Sequence, residues 1–352
     1  MIEVKNLTKV YGDHTAVDDL SFKIYNGKIY GLLGPNGAGK STTMNMMTGC
    51  LAPTSGSVRI NGFDVVKQPM KAKKCIGYLP EIPPVYGELT PFEYLVFVAE
   101  AKGVSYERAV RQAQSAMEMT DITDMSDRLI KNLSKGYRQR VGIAMTLLGD
   151  PDIIILDEPT VGLDPKQIIE VRALIQTLGE TKTVIVSSHI LAEIREICDH
   201  VLIISGGKLI ANAPIEELSE SVSADVKLKL SVRGDETGVL EVLNQIEEIE
   251  SCTLQPSHEA GVVSLALCVK GEVDLRDKIF FAMADRRYAV ISMEKEEESL
   301  ESIFLRLTEE AALASGGKKS ARAKRSRKGS PEDNDRDGEY ELIEEEKEEG
   351  EN

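Results

Sequence analysis

The octapeptide Gly34-Pro35-Asn36-Gly37-Ala38-Gly39-Lys40-Ser41 constrains this chain more than any other feature. Its spacing is G-x-x-x-x-G-K-S. The apolar run Ile29–Leu33 precedes it, and a helical pattern over Lys40–Thr48, closed by Gly49, follows. A strand, a glycine-rich turn and a helix in that order predict an α/β domain whose loop wraps a phosphate. The glycines let backbone N–H groups approach the anion closely, and the helix N-terminus faces it with partial positive charge. Lys40 would reach the β- and γ-phosphates of ATP, and Ser41 would offer its hydroxyl to Mg²⁺. The expected nucleotide cradle is therefore Gly34, Pro35, Asn36, Gly37, Ala38, Gly39, Lys40, Ser41 and the adjoining Thr42. An ordinary glycine-rich turn would not require Lys-Ser at that offset.

A second run, Ile153–Leu156, leads into Asp157-Glu158-Pro159. Two adjacent carboxylates ending an apolar strand are costly unless their charge is used. At the carboxyl end of a parallel strand they would face the phosphate crevice. Asp157 would then orient the Mg²⁺ shell, and Glu158 would act as general base or orient the attacking water. The runs Thr183–Ser187 and Val201–Ile204 are also continuous and apolar, as expected for strands covered on both faces. Residues 1–218 thus read as a three-layer α/β domain with mainly parallel strands at its centre. Within it, residues 90–132 read as helices only. Thr90-Pro91-Phe92-Glu93 is a capping box with Pro at the first helical position, Gly103 closes that helix and Ser105 begins the next.

From residue 224 the rhythm changes. Val226, Leu228, Leu230 and Val232 alternate as a half-buried strand. A helix near Gly238–Glu248, strands near Ser251–Gln255 and Val262–Val269, a helix near Leu275–Asp285, a strand near Tyr288–Met293 and a helix near Ser299–Leu307 complete the order. That β-α-β-β-α-β pattern predicts a small α+β, ferredoxin-like domain over 224–308, read as a packing or regulatory unit. Beyond it, Lys318–Lys328 has seven basic residues and no acid, and Pro331–Asn352 has 12 acids against Arg336 and Lys347. Such blocks cannot bury enough apolar surface to order themselves, so 315–352 is expected to be a disordered charged tail.

Composition narrows the partners. The formal net charge of −16 disfavours nucleic acid, which wants a basic face. The five cysteines are scattered without C-x-x-C spacing and suit a reducing compartment. The apolar runs are far shorter than the roughly 18–20 residues a membrane span needs, and Met1–Lys5 lacks the pattern of a secretory signal. A cytoplasmic location is expected.

Leu133-Ser134-Lys135-Gly136-Tyr137-Arg138-Gln139-Arg140 opens another helical stretch. Ser134 suits an N-cap and Gly136 permits a close backbone approach, so the segment is a candidate second anion site. In this order along the chain, the motifs resemble those of ABC ATP-binding subunits, with the likeness covering residues 1–218. The resemblance implies further roles. Tyr11, before Gly12, matches the aromatic that stacks on adenine, although alone it reads equally well as a core tyrosine. Glu81 stands where the family usually has a glutamine that meets the metal. Val161-Gly162-Leu163-Asp164 resembles the loop crossing the dimer interface, and His189 matches the histidine that contacts the γ-phosphate. It also implies that each ATP lies between one chain's Gly34–Ser41 and the Ser134, Lys135 and Gly136 of a second copy or related chain. That dimer would drive a separate integral-membrane permease, the ATPase lying on the inner face of the membrane. Lys135 and Tyr137 replace the usual glycine and glutamine. With the C-terminal domain, these changes look like the branch of gliding-motility and ABC-2-type export subunits.

Two other classes use similar motifs. Soluble ABC ATPases acting on ribosomes or DNA typically carry two such units or long coiled coils between motifs, whereas this chain has one compact set. A regulatory protein that binds ATP without turnover would not need Glu158 and His189.

Overall fold

The computed structural model describes residues 1–220, 225–257, 259, 261–270 and 274–296, all within one compact unit, Met1–Ala312. The expected helix Ser299–Leu307 and the charged tail 315–352 lie outside the described residues.

The chain opens with β1 (Ile2–Tyr11) and β2 (His14–Ile24), an antiparallel pair turning through Gly12-Asp13. Next come β3 (Ile29–Leu33), α1 (Lys40–Met47), β4 (Ser55–Ile60), β5 (Phe63–Asp64), α2 (Pro69–Lys74) and β6 (Ile76–Leu79). The helical insert contributes α3 (Pro91–Ala101) and α4 (Tyr106–Met119), then two short 3₁₀ turns at Thr123–Met125 and Ile130–Asn132. The capping box forms as its sequence dictates: Thr90 Oγ1 accepts the Glu93 N–H while the Thr90 N–H donates to Glu93 Oε2 at 2.9 Å. The chain continues with α5 (Lys135–Leu147), β7 (Ile153–Leu156), α6 (Pro165–Gly179), β8 (Thr183–Ser188), α7 (Leu191–Ile197), β9 (His200–Ser205), β10 (Lys208–Pro214) and α8 (Ile215–Glu220).

Six strands form the central sheet in the order β10-β9-β3-β8-β7-β6. All neighbours are parallel except β10, which turns back antiparallel on β9. Every residue of β3, β7 and β8 is buried, which explains why these segments carry no alternation. One apolar cluster packs the α3–α7 side of this sheet. A second packs its other side against α1 and against a separate antiparallel sheet, β2-β1-β4-β5.

The centre is thus mainly parallel as expected, and the antiparallel sheet is a further layer that the sequence reading does not single out. The reason is visible in β1, where Ile2 and Val4 are buried while Lys5 is exposed. Such a one-sided strand covers an apolar layer and cannot enter a doubly covered sheet.

The C-terminal elements are β11 (Asp225–Arg233), α9 (Glu236–Leu243), β12 (Ile249–Gln255), β13 (Val262–Lys270), α10 (Arg276–Asp285) and β14 (Ala289–Glu296). Their sheet has the order β12-β13-β11-β14 with every pair antiparallel, which is the ferredoxin-like arrangement. Leu228, Leu230 and Val232 of β11 face a third cluster with Val239 and Ile279 of the two helices.

Candidate functional site

The strand order sets the site. Because β3, β8, β7 and β6 are neighbours, the residues after each strand stand in a row along one edge of the sheet. These are Gly34–Ser41 after β3, His189 after β8, Asp157-Glu158 after β7 and Glu81 shortly after β6. The edge is the carboxyl end of the parallel strands, where such folds take their ligands.

The phosphate loop is held by close packing. Gly39 precedes α1 with φ of +105°, a conformation that side chains other than glycine's rarely adopt. A Cβ there would lie 2.6 Å from the Ala16 carbonyl oxygen of β2. The Gly207 N–H donates to the Ala38 carbonyl at 3.0 Å and its own carbonyl accepts the Asp18 N–H at 2.8 Å, so Gly207 fastens the loop to β2. Tyr11, at the end of β1, is 48% exposed with Lys9 Nζ 5.1 Å from its ring centroid. With about half its surface exposed, Tyr11 is not a core tyrosine.

Lys40 folds back over the loop. Its Nζ donates to the Gly34 carbonyl at 2.9 Å and lies 3.3 Å from Glu158 Oε1, with both side chains buried. The other Glu158 oxygen, Oε2, bonds His189 Nδ1 at 2.9 Å. Glu158 itself has φ of +49°, in the left-handed region that costs a non-glycine residue on the order of 1–2 kcal/mol. Its N–H is held at 2.8 Å by Ser187 Oγ, whose proton goes to Asp157 Oδ1 at 2.6 Å. Ser187 thus fixes both acids from the neighbouring strand. Asp157 is 2% exposed and has no ion-pair partner among the described residues. Glu81 is exposed on the loop after β6.

Ser134 caps α5, its Oγ accepting the Tyr137 N–H at 3.3 Å. Gly136 is buried so closely that a Cβ would meet the Gln167 side chain at 2.5 Å. Lys135 reaches the Gly162 backbone, where a Cβ would stand 2.0 Å from Nζ. Asp164 caps α6 by accepting the Gln167 N–H at 2.9 Å.

This second site does not meet the phosphate loop of its own chain. A Cβ on Gly142 would touch Leu79, and one on Gly77 would touch the Thr146 carbonyl, so α5 runs against β6. Lys135 lies seven residues before Gly142, which carries the helix roughly 10 Å past the sheet edge at 1.5 Å per residue. Three strand spacings of about 4.8 Å separate β6 from β3, roughly 14 Å sideways.

Comparison with known proteins identifies the family. The ABC transporter family matches residues 17–161. Over 313 residues the chain is 32% identical to the linearmycin resistance ATP-binding protein LnrL of Bacillus subtilis, covering 88% of this chain and 98% of that protein. The chain belongs to the ABC transporter ATP-binding family. It is 34% identical over 309 residues to the bacitracin transport ATP-binding protein BcrA of Bacillus licheniformis, covering 87% of this chain and 97% of that one. Among solved structures, a dimeric post-hydrolysis state of the ATP-binding cassette MJ0796 with ADP and Pi matches with a TM-score of 0.57. Its identity is 26%, and the match covers 61% of this chain and 99% of that one. This ABC subunit is accordingly an ATP-binding ATPase of a transport system, in a family whose cassettes dimerise.

Sequence reasoning missed several polar partners of this ABC site: Ser187, Ser188, Thr160 and Glu193 are all buried. A signal existed in Ser187-Ser188-His189, where an apolar strand ends in three polar residues.

Proposed function

We propose that this ABC subunit powers an exporter by ATP-dependent closure of a dimer beneath a separate membrane permease. The observation that carries the reading is the split site. One chain holds a phosphate cradle at β3 and a serine-capped, glycine-backed helix N-terminus well to its side, so a second chain must bring the latter to the nucleotide. Names of relatives that speak of antibiotic resistance and transport support the export direction. No helix among the described residues is long and apolar enough to cross a membrane, in keeping with a peripheral position on the cytoplasmic face.

The proposed roles are those the family resemblance implies, and the placement of the residues along one sheet edge supports them. Tyr11 stacks on the adenine, and the Gly34–Thr42 backbone and Lys40 hold the phosphates. Ser134, Lys135 and Gly136 of the mate close over the γ-phosphate, while Asp164, at the start of α6, lies at the interface between copies. Glu158 takes the proton of the attacking water, and His189, bonded to Glu158, contacts the γ-phosphate from β8. The residues also suit Mg²⁺. Asp157 is a buried carboxylate lacking a cation, Ser41 adds a hydroxyl and Glu81 a nearby acid. Among the described residues there is no group of three or more His, Cys, Asp or Glu able to hold a metal ion; a Mg²⁺ bound with nucleotide takes most of its ligands from phosphates and water. Bound there, Mg²⁺ would neutralise phosphate charge.

For the permease, the helical insert offers a surface. A cavity of about 750 Å³ is lined by Met70, Tyr78, Val98 and Val104, among others. Close in sequence to its α3 wall, Ile82, Tyr86 and Phe97 are exposed, with Tyr86 edge-on to Phe97. We assign residues 1–218 to the motor and 224–308 to an accessory domain. The test is affinity purification of the full chain from membranes together with sizing in saturating ATP and magnesium. Recovery of a multi-span membrane protein and an ATP-dependent dimer are expected; a Glu158→Gln chain that stays monomeric would overturn the proposal.

A further inference from the structure

Glu193 lies on α7, outside every motif named above, and is 5% exposed. Burying a carboxylate is expensive unless donors surround it. Its donors are informative. Oε2 accepts the Thr160 hydroxyl at 2.8 Å and the Ser188 hydroxyl at 2.9 Å. Thr160 is two residues after Glu158, and Ser188 immediately precedes His189. Ser188 Oγ also accepts the Ile190 N–H at 3.0 Å, fixing the backbone on the far side of His189.

The alternative is a plain ion pair between α6 and α7, since Arg172 of α6 faces Glu193. That contact is the long one, at 3.6 Å to Oε1, and Arg172 Nη1 pairs with Glu196 instead. Arg172 Nε is buried with no hydrogen-bond partner among the described residues. A carboxylate placed to serve the helix pair would satisfy that N–H; this one turns its nearer oxygen to the two loops. Glu158 and His189 bond each other across the site at 2.9 Å, and Glu158 is held in a left-handed conformation. Their relative position therefore needs a second tie behind the reacting face.

We infer that Glu193 is a positioning residue which clamps the loop bearing Glu158 to the loop bearing His189 through Thr160 and Ser188. The inference rests on the roles proposed above for Glu158 and His189. Loss of the clamp lets the two side chains drift, and a displacement of about 1 Å in a reacting group costs on the order of a hundredfold in rate. Glu193 makes no hydrogen bond to the loop after β3, where most of the proposed phosphate contacts lie, so the larger defect falls on kcat rather than on KM.

The experiment measures ATP hydrolysis by the full chain carrying Glu193→Ala, Thr160→Val, Ser188→Ala and the Glu193→Ala/Ser188→Ala pair. Expected are a kcat lowered about tenfold or more in Glu193→Ala, ATP KM within about twofold of the parent, and a double variant no slower than Glu193→Ala alone. If Glu193→Ala does not fold, the near-isosteric Thr160→Val carries the test through its own kcat. Parental kcat in the folded variants, an equal loss in kcat and ATP binding, or additive effects of the pair would overturn the clamp. Glu158→Gln run in parallel separates the two ideas: if it turns over normally the base assignment fails, whereas its inactivity beside an active Glu193→Ala removes the clamp alone.

Discussion

Replacing Glu158 by Gln keeps the shape of the side chain and removes one charge from the middle of the site. That charge sits 3.3 Å from Lys40 Nζ. At an effective dielectric of about 20 the attraction is roughly 5 kcal/mol before the cost of desolvating both groups, which offsets most of it. If about 1.4 kcal/mol of it survives, the preference is a factor of about ten. ATP must draw Lys40 away from this carboxylate, so Glu158→Gln should bind ATP about tenfold more tightly. Turnover should move the other way, since losing a general base costs on the order of 10²–10⁴-fold. Binding of a fluorescent ATP analogue and release of inorganic phosphate measure the two effects on the same protein. Weaker nucleotide binding would refute the competition between carboxylate and phosphate for Lys40. Phosphate release near the parental rate would refute the base.

Other expectations are simpler. Lys40→Ala should lose ATP binding by more than about tenfold, and nucleotide titration of the folded variant checks it. Gly77→Ala would drive a methyl to 2.0 Å from the Thr146 carbonyl oxygen, a backbone atom that cannot step aside. It should lower the melting temperature by several degrees, about 1–3 kcal/mol of overpacking, measured by thermal denaturation. Burial pushes the Tyr94 hydroxyl up to about 12. A raised value means the neutral form stabilises the fold fully below pH about 10 and less as pH climbs through 12. Tyr94→Phe should therefore flatten the alkaline loss of stability in urea titrations between those values; equal slopes in the two proteins would contradict it.

The sequence exposed the parts of the molecule whose local chemistry is extreme. Ile29–Leu33, Ile153–Leu156 and the Val184–Val186 centre of β8 carry no polar alternation because helices or a second sheet cover both faces, and each is a strand where expected. Thr90-Pro91-Phe92-Glu93 carries its capping instructions within four residues, and the structure follows them. The antiparallel sheet was harder to read. Its strands obey period two, but nothing local says that they pack on α1 and the flank of a parallel sheet. The ferredoxin-like order was legible because strand and helix periods alternate clearly from Val226 onward. Segment ends were less so: the helix expected near Gly238–Glu248 stops at Leu243. At the site, motif spacing singled out Lys40, Asp157 and Glu158, yet the support beneath them was hidden. Ser187 meets Asp157 and Glu158, and Glu193 meets Thr160, only because β7 and β8 are neighbours in the sheet, so no short window along the chain contains the network.

The sideways reach of α5 has a genetic consequence. In the paired arrangement proposed above, a copy damaged at Ser134 or Gly136 would keep its own cradle sound and spoil the pocket of its neighbour. A copy damaged at Lys40 harms only the pocket it owns. Mixing either with normal chains would leave every mixed pair with one working pocket, whereas combining the two kinds of damage in opposite copies would ruin one pocket twice and spare the other.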